Sequence, residues 1–261
     1  MIRVGITGAS GFLGIHARSM LAPLESRSEV SIKNISRADL EDQTVLAALV
    51  HGCDVILHLA GSNRGSEDDI RAANEGLAQK LVDACNAAGV APHIIFASSI
   101  YADERSDMSN QERPAAFGES KREAARIFTA WGERSGAPVS VFILPHVFGE
   151  FAPPFHNSAI ATLCHQLARG ESSDIRSDAQ VELVYVRSAM QRMLQAVLQQ
   201  ESGVIRIKGE QRKLQEVYKS LRDRYVQYMS GETVECADAL ESQLLLTLHY
   251  HVLASFPEST I

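Results

Sequence analysis

Apolar residues in this chain fall into short blocks separated by polar stretches with helical spacing. Ile2–Ile6 reads as a buried strand, and Phe12, Leu13, Ile15 and Leu21 follow at the spacing of a helix. Val30–Ile35 predicts a second strand, Thr44–Val50 a helix, and Asp54–Gly61 another buried strand running into glycine. A long helix is expected from Glu67 to Ala88, with Ile70, Ala73, Leu77, Leu81 and Ala84 on one face. Asn74 lies on or near that stripe, where a buried amide must be hydrogen-bonded, so it is read as a structural tie. His93–Ser98 is a strand that ends in Ser98-Ser99-Ile100-Tyr101. A polar segment, 103–114, leads into a helix whose first turns hold Phe117-Gly-Glu-Ser-Lys121, and Val139–Leu144 is a strand ending in Pro145-His-Val-Phe-Gly149.

Strand–helix alternation of this kind predicts an α/β fold, a Rossmann-type doubly wound parallel sheet. After Gly149 the pattern changes. A Pro- and Phe-rich loop, Glu150–His156, precedes a helix at Asn157–Arg169, a short strand at Val181–Val186 and a helix at Arg187–Gln199. A last strand is expected at Val204–Ile207, with helices over Glu210–Met229 and Asp238–Leu253. The expected organisation is a dinucleotide-binding domain over 1–150 and a mostly helical substrate-side lobe over 151–261. Part of 181–207 has the pattern to return to the first domain.

Between the first strand and the first helix stand Gly8, Gly11 and Gly14, in the order G-x-x-G-x-x-G. The first glycine permits a tight turn, the second a close approach of backbone to a pyrophosphate, and the third close packing of helix on strand. The helix N-terminus offers N–H groups and a positive dipole end to the phosphates. At the end of the second strand an acid would favour NAD. Asn34-Ile-Ser-Arg37 contains none, so NADP(H) is expected, with the Arg37 guanidinium and the Ser36 hydroxyl on the 2′-phosphate. Asp39 and Leu40 stand where they would flank the adenine.

The 261 residues suffice for one large α/β domain with an appendage, and 45% hydrophobic with 22% charged residues is ordinary for a globular protein. A net charge of -7 without a basic block argues against a nucleic-acid partner. Cys53, Cys85, Cys164 and Cys236 lack C-x-x-C spacing and read as free thiols in a reducing compartment. No signal-type or membrane-spanning run occurs, so a cytoplasmic location and no membrane partner are expected. No His/Cys/Asp/Glu set has metal-ligand spacing, and His249 and His251, two apart in a helix, point to different faces. No metal is expected.

The segments Gly8–Gly14, Asp54–Gly61, Asn74-Glu-Gly76, Ser98-Ser99, Gly118-Glu-Ser-Lys121 and Pro145–Gly149 resemble, in order, the extended short-chain dehydrogenase/reductase family of nucleotide-sugar enzymes. His58-Leu-Ala-Gly-Ser-Asn-Arg64 and Asn157-Ser-Ala-Ile-Ala-Thr-Leu-Cys164 are similar to segments of the reductase domain of capsular-polysaccharide enzymes of UDP-N-acetylfucosamine synthesis. Those enzymes carry a cupin domain that epimerises the sugar, and the resemblance covers only their reductase part. It implies an NADP(H)-dependent oxidoreductase acting on a nucleotide-linked sugar. It places Ser10, Phe12 and Leu13 of the glycine turn on the cofactor, along with Leu59, Ala60, Lys121, Pro145 and Val147. It places Asn63, Arg64, His146 and Asn157 on the substrate. Family members often dimerise through a four-helix bundle, here helices 67–88 and 117–135.

In this family a Tyr precedes the Lys by four residues, so that phenol and ammonium converge on one helix face, and a Ser steadies the reacting oxygen. Lys121 and Ser99 are present here, but the Tyr position is Phe117. Three readings follow. In the first the acid has moved, with Tyr101 the leading candidate because alternation in an extended chain would aim it with Ser99; His146, Glu119 and His156 are further candidates. In the second the chemistry is that of a dehydratase or epimerase, or a proton arrives through water. In the third the protein is a non-catalytic NADP(H)-binding sensor or scaffold.

Overall fold

The computed structural model describes residues 1–103, 115–156, 158–173, 175 and 180–256. The chain divides into two compact units, Met1–Leu144 with Met190–Ile207, and Pro145–Ala189 with Lys208–Ile261. The first boundary falls at Leu144, six residues before the expected 150, and only the 190–207 part of the expected returning stretch joins the first unit.

The first unit is built on six parallel strands: β1 (Ile2–Thr7), β2 (Val30–Ile35), β3 (Val55–His58), β4 (His93–Ser99), β5 (Val139–Leu144) and, after β6 and β7 of the second unit, β8 (Gly203–Arg206). Their order is β2-β1-β3-β4-β5-β8. The chain leaves β1 toward one side and returns on the other as β3, so a crevice opens beyond the carboxyl ends of β1 and β3. Strands β3 to β5 are buried along nearly their whole length, which is why they read as unbroken apolar runs.

The helices of this unit are α1 (Phe12–Ser26), α2 (Arg37–Glu41), α3 (Gln43–His51), α4 (Glu67–Arg71), α5 (Leu77–Ala88) and α6 (Ala115–Ser135). The helix expected over Glu67–Ala88 is not continuous: a π turn at Ala72–Gly76 separates α4 from α5. The extra residue rotates Asn74 inward. Its amide donates to Ser62 O at 2.7 Å, Ile70 O at 2.9 Å and Ser120 Oγ at 3.0 Å, tying the turn to the loop after β3 and to α6. On α6, Phe117, Lys121, Ala124, Phe128 and Trp131 are buried at helical spacing, so the lysine sits within the stripe that packs on the core.

In the second unit, β6 (His146–Phe148), β7 (Gln180–Tyr185) and β9 (Glu210–Lys213) form a three-stranded sheet, with β7 central, parallel to β6 and antiparallel to β9. Helices α7 (Ala159–Ala168), α9 (Leu214–Met229) and α10 (Ala239–Ser255) pack beside one another. Helix α8 (Val186–Gln199) carries the boundary at Met190. The helix expected from Glu210 begins only at Leu214, because Glu210–Lys213 pairs with β7. A four-residue charged strand carries no hydrophobic alternation to announce itself.

Candidate active site

The glycine turn closes around its own backbone. Gly8 has φ of +69° and the N–H of Gly11 donates to its carbonyl at 2.9 Å. A Cβ on Gly8 would stand 2.8 Å from Ala60 N, and one on Gly14 would stand 2.6 Å from Ala9 Cα as well as striking Gly8 O. Gly8 therefore lets β1 pass against the end of β3, and Gly14 lets α1 press on the turn. Gly11 is the N-cap of α1, so no side chain caps the first-turn N–H groups, and that turn holds no acid. Helices α2, α3 and α4 are instead capped by Ser36, Asp42 and Ser66. An uncapped, positive helix end facing a crevice is suited to phosphate.

That crevice is a cavity of about 400 Å³. Of the residues expected at a cofactor, Gly8, Ser10, Gly11, Ser36, Arg37, Leu59 and Ala60 line it. Phe12, Leu13 and Gly14 form the first turn of α1 just behind it. Asp39 does not line it: its carboxylate accepts from Ser36 N at 2.7 Å while its own N–H donates to Ser36 Oγ at 3.2 Å, a reciprocal cap on α2. That capping holds the Asp39 pKa below the ordinary carboxylate value. Leu40, buried, takes the apolar side of the cavity instead. The sequence reading missed Arg18, Ala73 and Leu77 as lining residues. Arg18 carried a usable signal, since it stands one helical turn after Gly14.

Gly61 joins this cavity to the buried Lys121. It lines the cavity, its φ is +156°, and a Cβ there would meet the Lys121 Nζ at 3.0 Å and the Asn74 carboxamide. Lys121 is only 7% exposed. Its Nζ donates to Ala97 O at 3.0 Å and lies 4.9 Å from the centre of the Phe96 ring. Burial lowers its pKa to about 8. Behind it, His58 is fully buried, with Nδ1 3.0 Å from Thr7 Oγ1. Desolvation and the neighbouring ammonium lower the His58 pKa to about 3, so it is neutral.

Ser99 ends β4, and Ile100–Ala102 then forms a 3₁₀ turn. The extended alternation expected to align Ser99 with Tyr101 is therefore absent. The Tyr101 N–H instead donates to Ser99 Oγ at 3.4 Å. The turn swings the Tyr101 ring onto Phe117, with centroids 6.2 Å apart. Gly118 makes this approach feasible, because a Cβ there would collide with Tyr101 O. Phe117 is buried in a small apolar cluster with Ile70 and Ala116, and Tyr101 is half-buried against it.

The remaining expected residues are placed less tightly. Asn63 and Arg64 lie in the loop after β3, where the Ser62 hydroxyl accepts from Arg64 N at 3.2 Å and donates to Arg64 O at 3.0 Å. Pro145, His146 and Val147 belong to the second unit, His146 paired in register with Leu183. Asn157 lies outside the described residues. Glu119 is held by Arg71 at 2.7 Å on an exposed face, and His156 is exposed beside Pro154 O at 3.0 Å; neither is built into this site.

The sequence and the fold resemble those of known proteins. A UDP-2-acetamido-2,6-beta-L-arabino-hexul-4-ose reductase of Pseudomonas aeruginosa is 31% identical over 211 residues, 80% of this chain. The matched region is 53% of that relative, so this chain spans about half its length. The capsular polysaccharide assembling protein CapF of Staphylococcus aureus superposes with a TM-score of 0.73 at 23% identity, covering 98% of this chain and 67% of CapF. RMD of Pseudomonas aeruginosa, solved with NADPH, gives a TM-score of 0.79 at 19% identity, covering 97% of this chain and 100% of RMD. The sequence pattern of the NAD dependent epimerase/dehydratase family matches residues 4–207, from the first strand through β8, and the chain belongs to that family.

Proposed function

We propose that this protein is an NADP(H)-dependent keto reductase of a nucleotide-linked sugar, with its proton donor moved off the usual helix position. The observation that carries the reading is the juxtaposition at Gly61: one glycine borders both the crevice at the glycine turn and a buried ammonium. The residues fit the cofactor, because Gly8 and Gly14 leave no room for a Cβ in the turn and the end of α1 is uncapped. Bound NADPH supplies a hydride. The protein's own part is to hold the nicotinamide ribose with Lys121, to steady the sugar oxygen with Ser99, and to give that oxygen a proton. Tyr101 is the proposed donor, since it stands against the ring that fills the usual phenol position and its backbone touches Ser99. The reductase relative supports the substrate class.

Burial of Phe117 among Ile70 and Ala116 favours a second reading, in which the site binds NADP(H) without turning over. Following NADPH absorbance with a panel of 4-keto nucleotide sugars tests the two. Substrate-dependent oxidation supports the reductase, and binding of NADPH without oxidation of any of them supports the sensor.

A further inference from the structure

Arg18 on α1 and Arg37 at the start of α2 line the same cavity, although 19 positions separate them in the chain. Among the described residues neither guanidinium makes a hydrogen bond or an ion pair. That is unusual in this chain, where Arg3, Arg71, Arg126, Arg192 and Arg212 all reach carboxylates. The described lining of the cavity contains no Asp or Glu. The nearby acid, Asp39, is turned away into the cap of α2. Two fixed positive charges thus face one crevice with no negative charge to answer them. Guanidinium is the side chain whose planar donors match phosphate oxygens in pairs.

A pyrophosphate does not account for both charges. It has its own receptor in the uncapped end of α1 and the glycine turn. The cavity that both arginines line is also bordered by Asn34, Ile35 and Leu40, from the end of β2 and from α2, where the adenosine end of a dinucleotide is read.

Resting on the NADP(H) reading above, we infer that Arg18 and Arg37 form a two-armed clamp on the cofactor's 2′-phosphate, and that Arg18 is a specificity-determining residue. Arg37 begins the five-residue helix α2. Arg18 stands on α1, so the two arms come from different elements. Neither arm is needed for a cofactor lacking that phosphate.

Equilibrium binding tests this without any turnover. Adenosine 2′,5′-bisphosphate and 5′-ADP are titrated calorimetrically, and NADPH and NADH by fluorescence, against wild type, Arg18→Ala, Arg18→Gln and Arg18→Lys. The clamp requires Arg18→Ala and Arg18→Gln to weaken the bisphosphate and NADPH at least tenfold while 5′-ADP and NADH change less than twofold. Arg18→Lys should recover part of the loss. An equal loss for both ligand pairs overturns the assignment in favour of a pyrophosphate contact, and no loss for either overturns it outright. Arg18 is exposed, so its variants should fold; if one melts early, the other carries the comparison. Failure of wild type to bind any of the four ligands refutes the dinucleotide reading itself. Equal wild-type affinity for NADPH and NADH refutes the clamp while leaving that reading standing.

Discussion

Tyr101 stands edge-on to Phe117, with ring centroids 6.2 Å apart and planes at 62°. The contact places a phenol beside the phenyl that stands four residues before Lys121. It arises from two local features: the 3₁₀ turn after Ser99, and the missing side chain at Gly118.

The pair can be tested by moving the hydroxyl. Tyr101→Phe keeps the ring and its packing, so fold and NADPH affinity should be unchanged. Turnover should fall by about 10²–10⁴-fold, the usual worth of a positioned acid. Phe117→Tyr in that background restores a phenol four residues before Lys121, and should recover part of the rate. Steady-state NADPH oxidation, with melting curves for each variant, reads the outcome. An unaltered rate in Tyr101→Phe removes Tyr101 from the chemistry.

Lys121 gives a pH signature. Its folded pKa, lowered by burial to about 8, lies below the ordinary 10.5. The ammonium is present at pH 7 and is lost as pH rises through 8, so kcat/KM should decline on an alkaline limb near that value. The same shift sets the stability. Between about 10.5 and 8 the unfolded chain binds a proton that the folded chain does not, so stability falls as pH drops through this window, then levels off. Charging this buried site costs about 3 kcal/mol. Lys121→Met should therefore raise the unfolding free energy at pH 7 while abolishing reductase activity, a divergence that urea titration and the NADPH assay would show together.

Two buried imidazoles predict acid sensitivity. Burial lowers the pKa of His58 to about 3 and of His251 to about 4. Both are neutral when folded, whereas in the unfolded chain they protonate near 6.5. Their stabilising contribution is complete above 6.5 and is lost progressively as pH falls toward the folded values, at about 1.4 kcal/mol per pH unit for each. Urea unfolding at pH 7 and pH 5 should differ by several kcal/mol in the sum over both units. The paired carboxylates Asp39, Asp54 and Asp69, whose pKa values are lowered, contribute to acid loss only below this range.

Gly14→Ala probes the turn. Its Cβ would overlap Gly8 O and approach Ala9 Cα within 2.6 Å, forcing α1 off the turn. A loss of about 1–3 kcal/mol in stability is expected, together with loss of binding to both NADPH and NADH. Gly76→Ala, where a Cβ meets nothing within 4 Å, should leave both binding constants unchanged.

The α/β class, the succession of strands and helices in the amino-terminal half and the glycine turn were legible in the sequence because each rests on local pattern: apolar runs for buried strands, helical spacing, and glycine where no Cβ fits. Lys121 was legible as a residue four positions after Phe117, but its burial was not, since that depends on the core meeting the Phe117–Trp131 face of α6. Other features came only from tertiary contact. Asn74 bends the helix through a π turn because its amide finds Ser62 and Ser120 from other elements. Asp39 is spent on a cap. Arg18 and Arg37 come to one cavity because parallel pairing of β1 with β2 sets α1 beside the end of β2. Sequence periodicity records which face of an element is buried; which distant side chains then share a crevice is decided by how the strands are ordered in the sheet.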